Sequence, residues 1–428
     1  MKLKKLILSL IIMLSFSVLT FAQESGSLLN VDTTHLKKLI STYKKLEYVG
    51  FSGYIQPQFQ IAQEKGIKSF NGGDFGSQVD NRFMLRRGRF RIDYARFNAE
   101  NMPKLNFVFQ FDGTERGFFI RDFWGRIYEN KLNYFSIVTG MFARPMGFEI
   151  NLSSSDRESL ERGRMSQLLM KTERDLGAMI SFEPKGQKDW RNHIKYDIGL
   201  FNGQGLAASA DFDSHKDLIS RLVLKNVKIH KMILSASISG LFGKIANPSG
   251  QEYRINENGK FSLNASDAIA PRTYKGADIQ LKIPNKNKMF TELRAEYMSG
   301  LQPGLVSSTE TPTSLPVLNG VATPFYVRNF NGAYFYFLQN FISPKNQLVV
   351  KYDWYDPNTK LAGKEITSEL NDAEIKYKTL GLGYIRYVNE NLKVVFYYDM
   401  PKNEFTSKES SKSDIKDNTL SCRIQYRF

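Results

Sequence analysis

The chain has 428 residues, of which 24% are charged and 42% hydrophobic, and its formal net charge is +16. One cysteine excludes a disulfide framework, and the four scattered histidines, His35, His193, His215 and His230, lack metal-ligand spacing, so neither a metal nor another cofactor is expected. The basic balance suits nucleic acid, an anionic membrane surface or small anions as partners.

Residues 1–22 are predicted to be a cleaved signal peptide. Lys2, Lys4 and Lys5 precede an apolar run over 6–19, and small residues place the cleavage site before Gln23. The alternative, a membrane anchor helix, is disfavoured because the run is shorter than the ~20 residues that span a bilayer. Loss of the three lysines leaves a net charge of +13, and the mature chain is expected to be exported.

Residues 23–48 are predicted to form a periplasmic segment that contains a short N-terminal helix over 33–48. Apolar side chains recur there at three- and four-residue spacing, which is typical of a helix. They are Leu36, Leu39, Ile40, Tyr43 and Leu46.

From residue 49 to the end at 428, period-two alternation replaces the helical pattern. In the first segment, 51–61, Phe51, Ile55 and Ile61 share one face while polar residues occupy the other. Similar segments recur at 82–97, 104–111, 118–129, 133–144, 175–183, 193–202, 218–226, 231–243, 274–283, 289–299, 330–341, 346–355, 377–388, 391–400 and 418–428. Together they predict about sixteen strands, most of them as long as a tilted transmembrane strand.

The connections between these segments alternate in length. Seven short links join each even-numbered strand to the next, whereas the odd-numbered strands are followed by long loops, with only 112–117 short. Short periplasmic turns and long extracellular loops are typical of membrane barrels. The sequence therefore predicts an all-β fold, a closed antiparallel transmembrane β-barrel over 49–428.

The last strand supports a place in the outer membrane of a Gram-negative bacterium. Its apolar face ends in Tyr426 and Phe428, with Arg423, Gln425 and Arg427 on the other face. A terminal phenylalanine on such a strand resembles the signal that the barrel-assembly machinery reads. The expected partners are this machinery and outer-membrane lipid.

Several motifs are similar to those of one family, the phosphate-selective porins O and P. They are Gly140–Glu149 (GMFARPMGFE), Gly199–Gly203 (GLFNG), Arg221–Lys225 (RLVLK), Lys351–Pro357 (KYDWYDP) and Arg423–Phe428 (RIQYRF). Their order runs from about residue 50 to the end of the chain. The resemblance implies a sixteen-stranded homotrimeric porin that passes small anions such as phosphate.

Strand parity places basic side chains on the inner wall. Because Phe90 and Ile92 belong on the lipid face, Arg87, Arg89 and Arg91 should form a ladder in the lumen. Further residues assigned to the anion path or the inner wall are Arg126, Arg144, Lys195, Arg221, Lys225, Lys282, Lys351, Lys393, Arg423 and Arg427. The alternative is that these cations are ordinary ion-paired wall residues. Inward acids that could pair with them are Asp93, Asp197, Asp278, Glu292 and Asp353.

The third of the expected external loops, 145–174, is expected to fold inward as a constriction loop, as the resemblance implies. It carries Arg157, Arg162 and Arg164 as candidate anion contacts, and Leu160 and Met165 favour packing inside the barrel. The alternative is a solvated external loop.

Other functional classes are weighed against a passive anion channel. No enzyme site is found, since Ser153–Ser155 lack a recognisable His and Asp arrangement. Nucleic acid is not an expected partner, because period two explains the basic and aromatic interleaving over 82–96. A general or sugar-permitting porin is an alternative, because Trp124, Tyr355 and Tyr397 are expected to face inward and sugar channels line their path with aromatic rings. An adhesin or receptor role for the long loops is permitted but not required by the sequence.

Overall fold

The computed structural model describes residues 47–184, 190–208, 210–265 and 267–428. The predicted signal peptide and nearly all of the predicted helix over 33–48 lie outside these residues. The two residues of that helix that are described, Glu47 and Tyr48, form a turn. Val49–Phe428 form one compact unit.

The period-two segments of the sequence form the strands. The described residues contain twenty, numbered in chain order: β1 (Val49–Ala62), β2 (Asn81–Phe97), β3 (Pro103–Thr114), β4 (Gly117–Tyr128), β5 (Phe135–Ala143), β6 (Arg174–Phe182), β7 (Ile194–Phe201), β8 (Asp217–Ile229), β9 (Met232–Ala246), β10 (Glu252–Ile255), β11 (Phe261–Ala265), β12 (Ile269–Pro284), β13 (Phe290–Gly304), β14 (Val317–Leu318), β15 (Val321–Ala322), β16 (Phe325–Phe341), β17 (Ser343–Asp356), β18 (Tyr377–Tyr387), β19 (Leu392–Asn403) and β20 (Thr419–Arg427). One α-helix, α1 (Arg164–Leu169), lies among the described residues. Short 3₁₀ turns are Trp190–His193, Lys286–Lys288, Gly363–Glu365, Asp372–Glu374 and Glu409–Ser411. No described α-helix is long and apolar enough to cross a membrane.

Sixteen of these strands close into one antiparallel barrel, which confirms the predicted fold class. β1 pairs with β2 on one side and with β20 on the other, in a register that places Tyr54 opposite Arg427 and Ala62 opposite Thr419. The last residue seals this seam, because the backbone groups of Phe428 and Gly53 exchange two hydrogen bonds of 3.0 and 3.2 Å. Closure leaves the barrel without an unpaired edge strand.

The alternation along each strand separates an apolar outside from a polar inside. On β1, Phe51 and Ile55 are 57% and 44% exposed on the outer face, whereas Gln56, Gln58 and Gln60 are at most 3% exposed. This inverts the arrangement in a water-soluble protein and suits a barrel whose exterior faces lipid.

The connections between strands differ in length at the two ends of the barrel. One end, here called the short-turn end, carries brief links such as 98–102 and 388–391, and the other, the long-loop end, carries most of the remaining chain. Two loops at the long-loop end form extra hairpins, β10–β11 and β14–β15, and β10 also pairs in parallel with β16. The long-loop end therefore carries additional secondary structure beyond the barrel strands.

Candidate functional site

The connection between β5 and β6, residues 144–173, lies within the barrel and is called the internal loop. Its apolar side chains are buried against the inner wall: Met146 is 0%, Ile150 2% and Leu160 1% exposed. Met146 and Ile150 join a cluster with wall side chains of β5 to β9, β12, β13, β16 and β17. Leu160 joins a second cluster on β16 to β19. The loop is thus packed against the inner wall through two apolar clusters.

Two buried glutamates fix the internal loop. The Glu149 carboxylate accepts the backbone N–H of Gly163 at 2.9 Å and the hydroxyl of Ser166 at 2.6 Å, which ties the start of the loop to α1. Glu296 on β13 accepts the backbone N–H groups of Phe148 and Glu149 at 2.9 and 3.0 Å. Buried backbone donors need such partners, so these carboxylates define the path of the loop.

A group of three arginines, here called the arginine clamp, holds the loop carboxylate of Glu161. Arg87 reaches both carboxylate oxygens, with Nη1 at 3.0 Å from Oε1. Arg86 donates from Nε at 2.9 Å and from Nη2 at 3.1 Å, and Arg423 donates from Nη2 at 2.8 Å. Glu161 is 4% exposed. Burial alone would raise the pKa of the Glu161 carboxyl, but the three guanidiniums outweigh it and hold that pKa well below its usual range.

Arg86 was missed by strand parity, which places it on the lipid face. The β1–β2 register shifts between Gln56 and Pro57, so Arg86 has no partner residue and turns inward beside Arg87. A proline cannot donate to a ladder and is confined to edges and bulges, so Pro57 was the available signal. The same happens on β4, where the register shift leaves Arg121 unpaired in the ladder.

Arg121 contributes to a second group of arginines at the other end of the internal loop. The Glu173 carboxylate has Arg121 Nη2 at 2.5 Å, Arg162 Nε at 3.3 Å and Arg174 Nη1 at 3.6 Å. Arg162 also donates to the carbonyls of Ser166 and Met170 and so braces α1. Glu161 and Glu173 of the internal loop are therefore both held by arginines.

The rest of the expected ladder is ion-paired. Arg89 is 4% exposed and its Nε lies 3.1 Å from Asp112, while Arg91 reaches Asp93 on its own strand at 2.7 Å. The ladder thus lies on the inner wall, and the structure places a carboxylate beside each of its members.

Most of the other predicted basic residues also have carboxylate partners. The pairs are Lys195–Asp197 at 2.8 Å, Arg221–Asp278 at 3.1 Å, Lys225–Glu183 at 2.6 Å, Lys351–Asp353 at 3.3 Å, Arg144–Asp175 at 3.9 Å and Arg427–Asp156 at 3.2 Å. Arg126 lies over the ring of Trp124 with 5.6 Å to the centroid, and Lys282 lies 3.9 Å from that of Phe290. Lys393 donates to the backbone carbonyl of Ser155 in the internal loop at 2.8 Å.

Two loop arginines are held without a bidentate carboxylate. Arg157 is 3% exposed and donates only from Nη2, to the Leu152 carbonyl at 3.4 Å. Its Nε and Nη1 are buried without a hydrogen-bond partner among the described residues. Arg164 lies over the rings of Tyr377 and Phe70, 3.4 and 4.3 Å from the centroids.

Arg164 also lines a small polar cavity of about 30 Å³, room for only one or two water molecules, on the long-loop side of the internal loop. Charged residues of both signs surround it: Lys68, Glu161, Arg162, Arg164, Lys351, Asp353, Asp399 and Asp417. The cavity lies beside the arginine clamp, because Glu161 belongs to both.

Three aromatic residues carried the sugar-permitting alternative, and of these Tyr397 borders the polar cavity. Tyr355 and Tyr397 are 1% and 2% exposed and belong to the two apolar clusters that grip the internal loop. Trp124 packs against the first of these clusters. These three rings therefore help to support the internal loop.

Neither a family model nor a curated protein matches this sequence. Solved structures match it with low identity. OprB of Pseudomonas putida is 10% identical, with a TM-score of 0.56 over 91% of this chain and 97% of that one. The outer membrane channel DcaP of Acinetobacter baumannii is 13% identical, with a TM-score of 0.53 over 89% and 97%.

An anion-selective porin from Comamonas acidovorans is also similar, with 10% identity and a TM-score of 0.53 over 89% of this chain and 99% of that one. Likeness at such identities is evidence about the fold, while the resemblance to the phosphate-selective family stays a prediction. This chain has the barrel fold of the porins.

Proposed function

We propose that this protein is an outer-membrane porin that lets small anions, phosphate first among them, diffuse passively through the barrel. The observation that carries the proposal is the charge around the internal loop. Glu161 faces Arg86, Arg87 and Arg423, so this carboxylate leaves positive charge in surplus. Three arginines also surround Glu173, but Arg174 pairs with Asp122 at 3.1 Å and Arg121 lies 3.8 Å from Asp112, so the surplus there is smaller. A surplus in a low-dielectric passage raises the local anion concentration.

The location expected for the chain supports the proposed porin function. The apolar outer face fits outer-membrane lipid in a Gram-negative bacterium, the predicted signal peptide provides export, and the Phe428 strand provides the signal for the barrel-assembly machinery. A homotrimer is proposed from the family resemblance. The internal loop would then set the width of each of the three channels.

Reversal potentials in planar bilayers test the proposal. Under a tenfold gradient of potassium chloride, the sign of the zero-current potential should report preference for chloride over potassium. A potassium phosphate gradient should give the same sign. The preference should weaken as salt rises, because the Debye length falls from about 30 Å at 0.01 M to about 3 Å at 1 M. A cation-preferring potential at low salt would rule the proposal out.

A further inference from the structure

The arginine clamp has the construction of an oxyanion site. Two guanidinium forks and a third N–H converge on the two oxygens of one carboxylate, at distances from 2.5 to 3.1 Å. Such planar forks match carboxylate and phosphate oxygens equally well. Nothing in this arrangement requires that the bound oxygens belong to a glutamate.

Two of the three guanidiniums keep their position independently of Glu161. Arg423 donates from Nε and from Nη2 to the side-chain oxygen of Gln58, at 2.8 and 2.5 Å. Arg87 donates to the side-chain oxygen of Gln56 at 3.1 Å. Both glutamines lie on β1, so the wall holds these donors in place if the carboxylate leaves.

Glu161 lies on the internal loop, and its neighbour Leu160 makes an apolar contact with the barrel wall. Leu160 is 1% exposed and packs among tyrosines of β16 and β19. Movement of Glu161 away from the clamp would draw Leu160 out of that cluster. The polar cavity on the long-loop side reaches Glu161.

We propose that Glu161 is a built-in competitor that occupies an oxyanion site formed by Arg86, Arg87 and Arg423, and that inorganic phosphate or a similar oxyanion displaces it. The inference rests on the proposed anion function and deepens it by naming the residue that sets affinity. The number of charges at the clamp predicts how loss of the Glu161 carboxylate changes oxyanion affinity. With Glu161 in place the clamp carries two surplus positive charges. Without that carboxylate it carries three guanidiniums that lack a counter-charge at Glu161, and two of them, those of Arg87 and Arg423, are buried.

The test is block of the chloride current by inorganic phosphate at constant ionic strength, in the full-length channel. Glu161→Gln should lower the half-blocking phosphate concentration at least tenfold relative to the parent. Glu158→Gln is the matched control, because Glu158 lies in the same loop and loses the same charge. In that variant Arg294, the partner of Glu158, still has Glu292 at 2.5 Å. The half-blocking phosphate concentration of Glu158→Gln should therefore equal that of the parent. Equal shifts in both variants, or no shift in Glu161→Gln, would overturn the proposal.

A conservative variant covers the case in which Glu161→Gln does not fold. Glu161→Asp keeps the charge but is one methylene too short to engage all three arginines, so it should shift the half-blocking concentration in the same direction by less. In the parent, chloride conductance should respond saturably to phosphate, and a strictly linear response overturns the proposal. If the parent prefers anions while these tests fail, only the role of Glu161 is lost. If the parent prefers cations, the proposed function fails with it.

Discussion

Replacing Leu160 with alanine tests the seal between the internal loop and the barrel wall. Leu160 is 1% exposed and contacts the cluster that contains Tyr336 and Tyr397. The change removes buried apolar groups worth roughly 2 kcal/mol of transfer free energy and leaves a cavity behind. Because leucine-to-alanine changes in cores cost about 3 to 5 kcal/mol and a loop can partly collapse, we expect a loss of about 3 kcal/mol.

A loss of this size changes an equilibrium constant by about two orders of magnitude. The free energy of unfolding should therefore fall measurably in urea titrations of the refolded barrel, compared with the parent in the same detergent. Single-channel conductance in planar bilayers should rise at the same time, because the loop no longer closes against β16 and β19.

The matched control is Leu382→Ala. Leu382 lies on β18, next to the same region of the wall, but points outward with 42% exposure. The same atoms are removed without opening an internal cavity, so conductance should equal that of the parent. Equal conductance in the parent and in Leu160→Ala would refute the idea that this contact seals the passage, and equal unfolding in Leu160→Ala and Leu382→Ala would refute the cavity argument.

Three further predictions follow from the same contacts. Deleting 153–170 should raise single-channel conductance, and an unchanged value would mean that this segment does not narrow the path. Replacing all three of Arg87, Arg89 and Arg91 by glutamine should reduce the anion preference in low-salt reversal potentials. It should not abolish that preference, because two clamp arginines remain. A selectivity equal to that of the parent would show that the three are only wall residues. Glu374→Gln removes the carboxylate that holds the fully buried Arg328 at 2.7 Å and should lower the free energy of unfolding by about 3 kcal/mol, to be measured as a shift of the urea midpoint against the parent.

The barrel was predictable because lipid imposes a pattern on the sequence. A strand that faces lipid on one side and a polar interior on the other must alternate, and the sixteen predicted segments match the sixteen barrel strands. The agreement is poorest at the long-loop end. β12 begins at Ile269 and β16 at Phe325, about five residues before the alternation becomes clear. Beyond the apolar belt there is no lipid to demand alternation, so strands continue there without a signal.

The candidate site was predictable only in part, because its geometry depends on bulges and on contacts between distant segments. Strict parity places Arg87 and Arg89 inside but sends Arg86 outward, and one extra residue at a register shift reverses that. The sequence also gave no sign that Glu161 is the residue held by the clamp. Arg423 and Glu161 are 262 positions apart in the chain, and no local pattern connects them.

The inner-wall arginines differ in how many carboxylates they share. Arg91 and Asp93 form a one-to-one pair with both side chains about 30% exposed, so water screens it and it leaves no surplus charge. At the clamp, three guanidiniums share one carboxylate in a buried setting, where screening is weak and the surplus is felt. Anion preference should therefore depend on where the stoichiometry of charges is unequal and water is excluded, which is where the internal loop meets β1, β2 and β20. A basic residue elsewhere on the wall counts for little if its own carboxylate lies beside it.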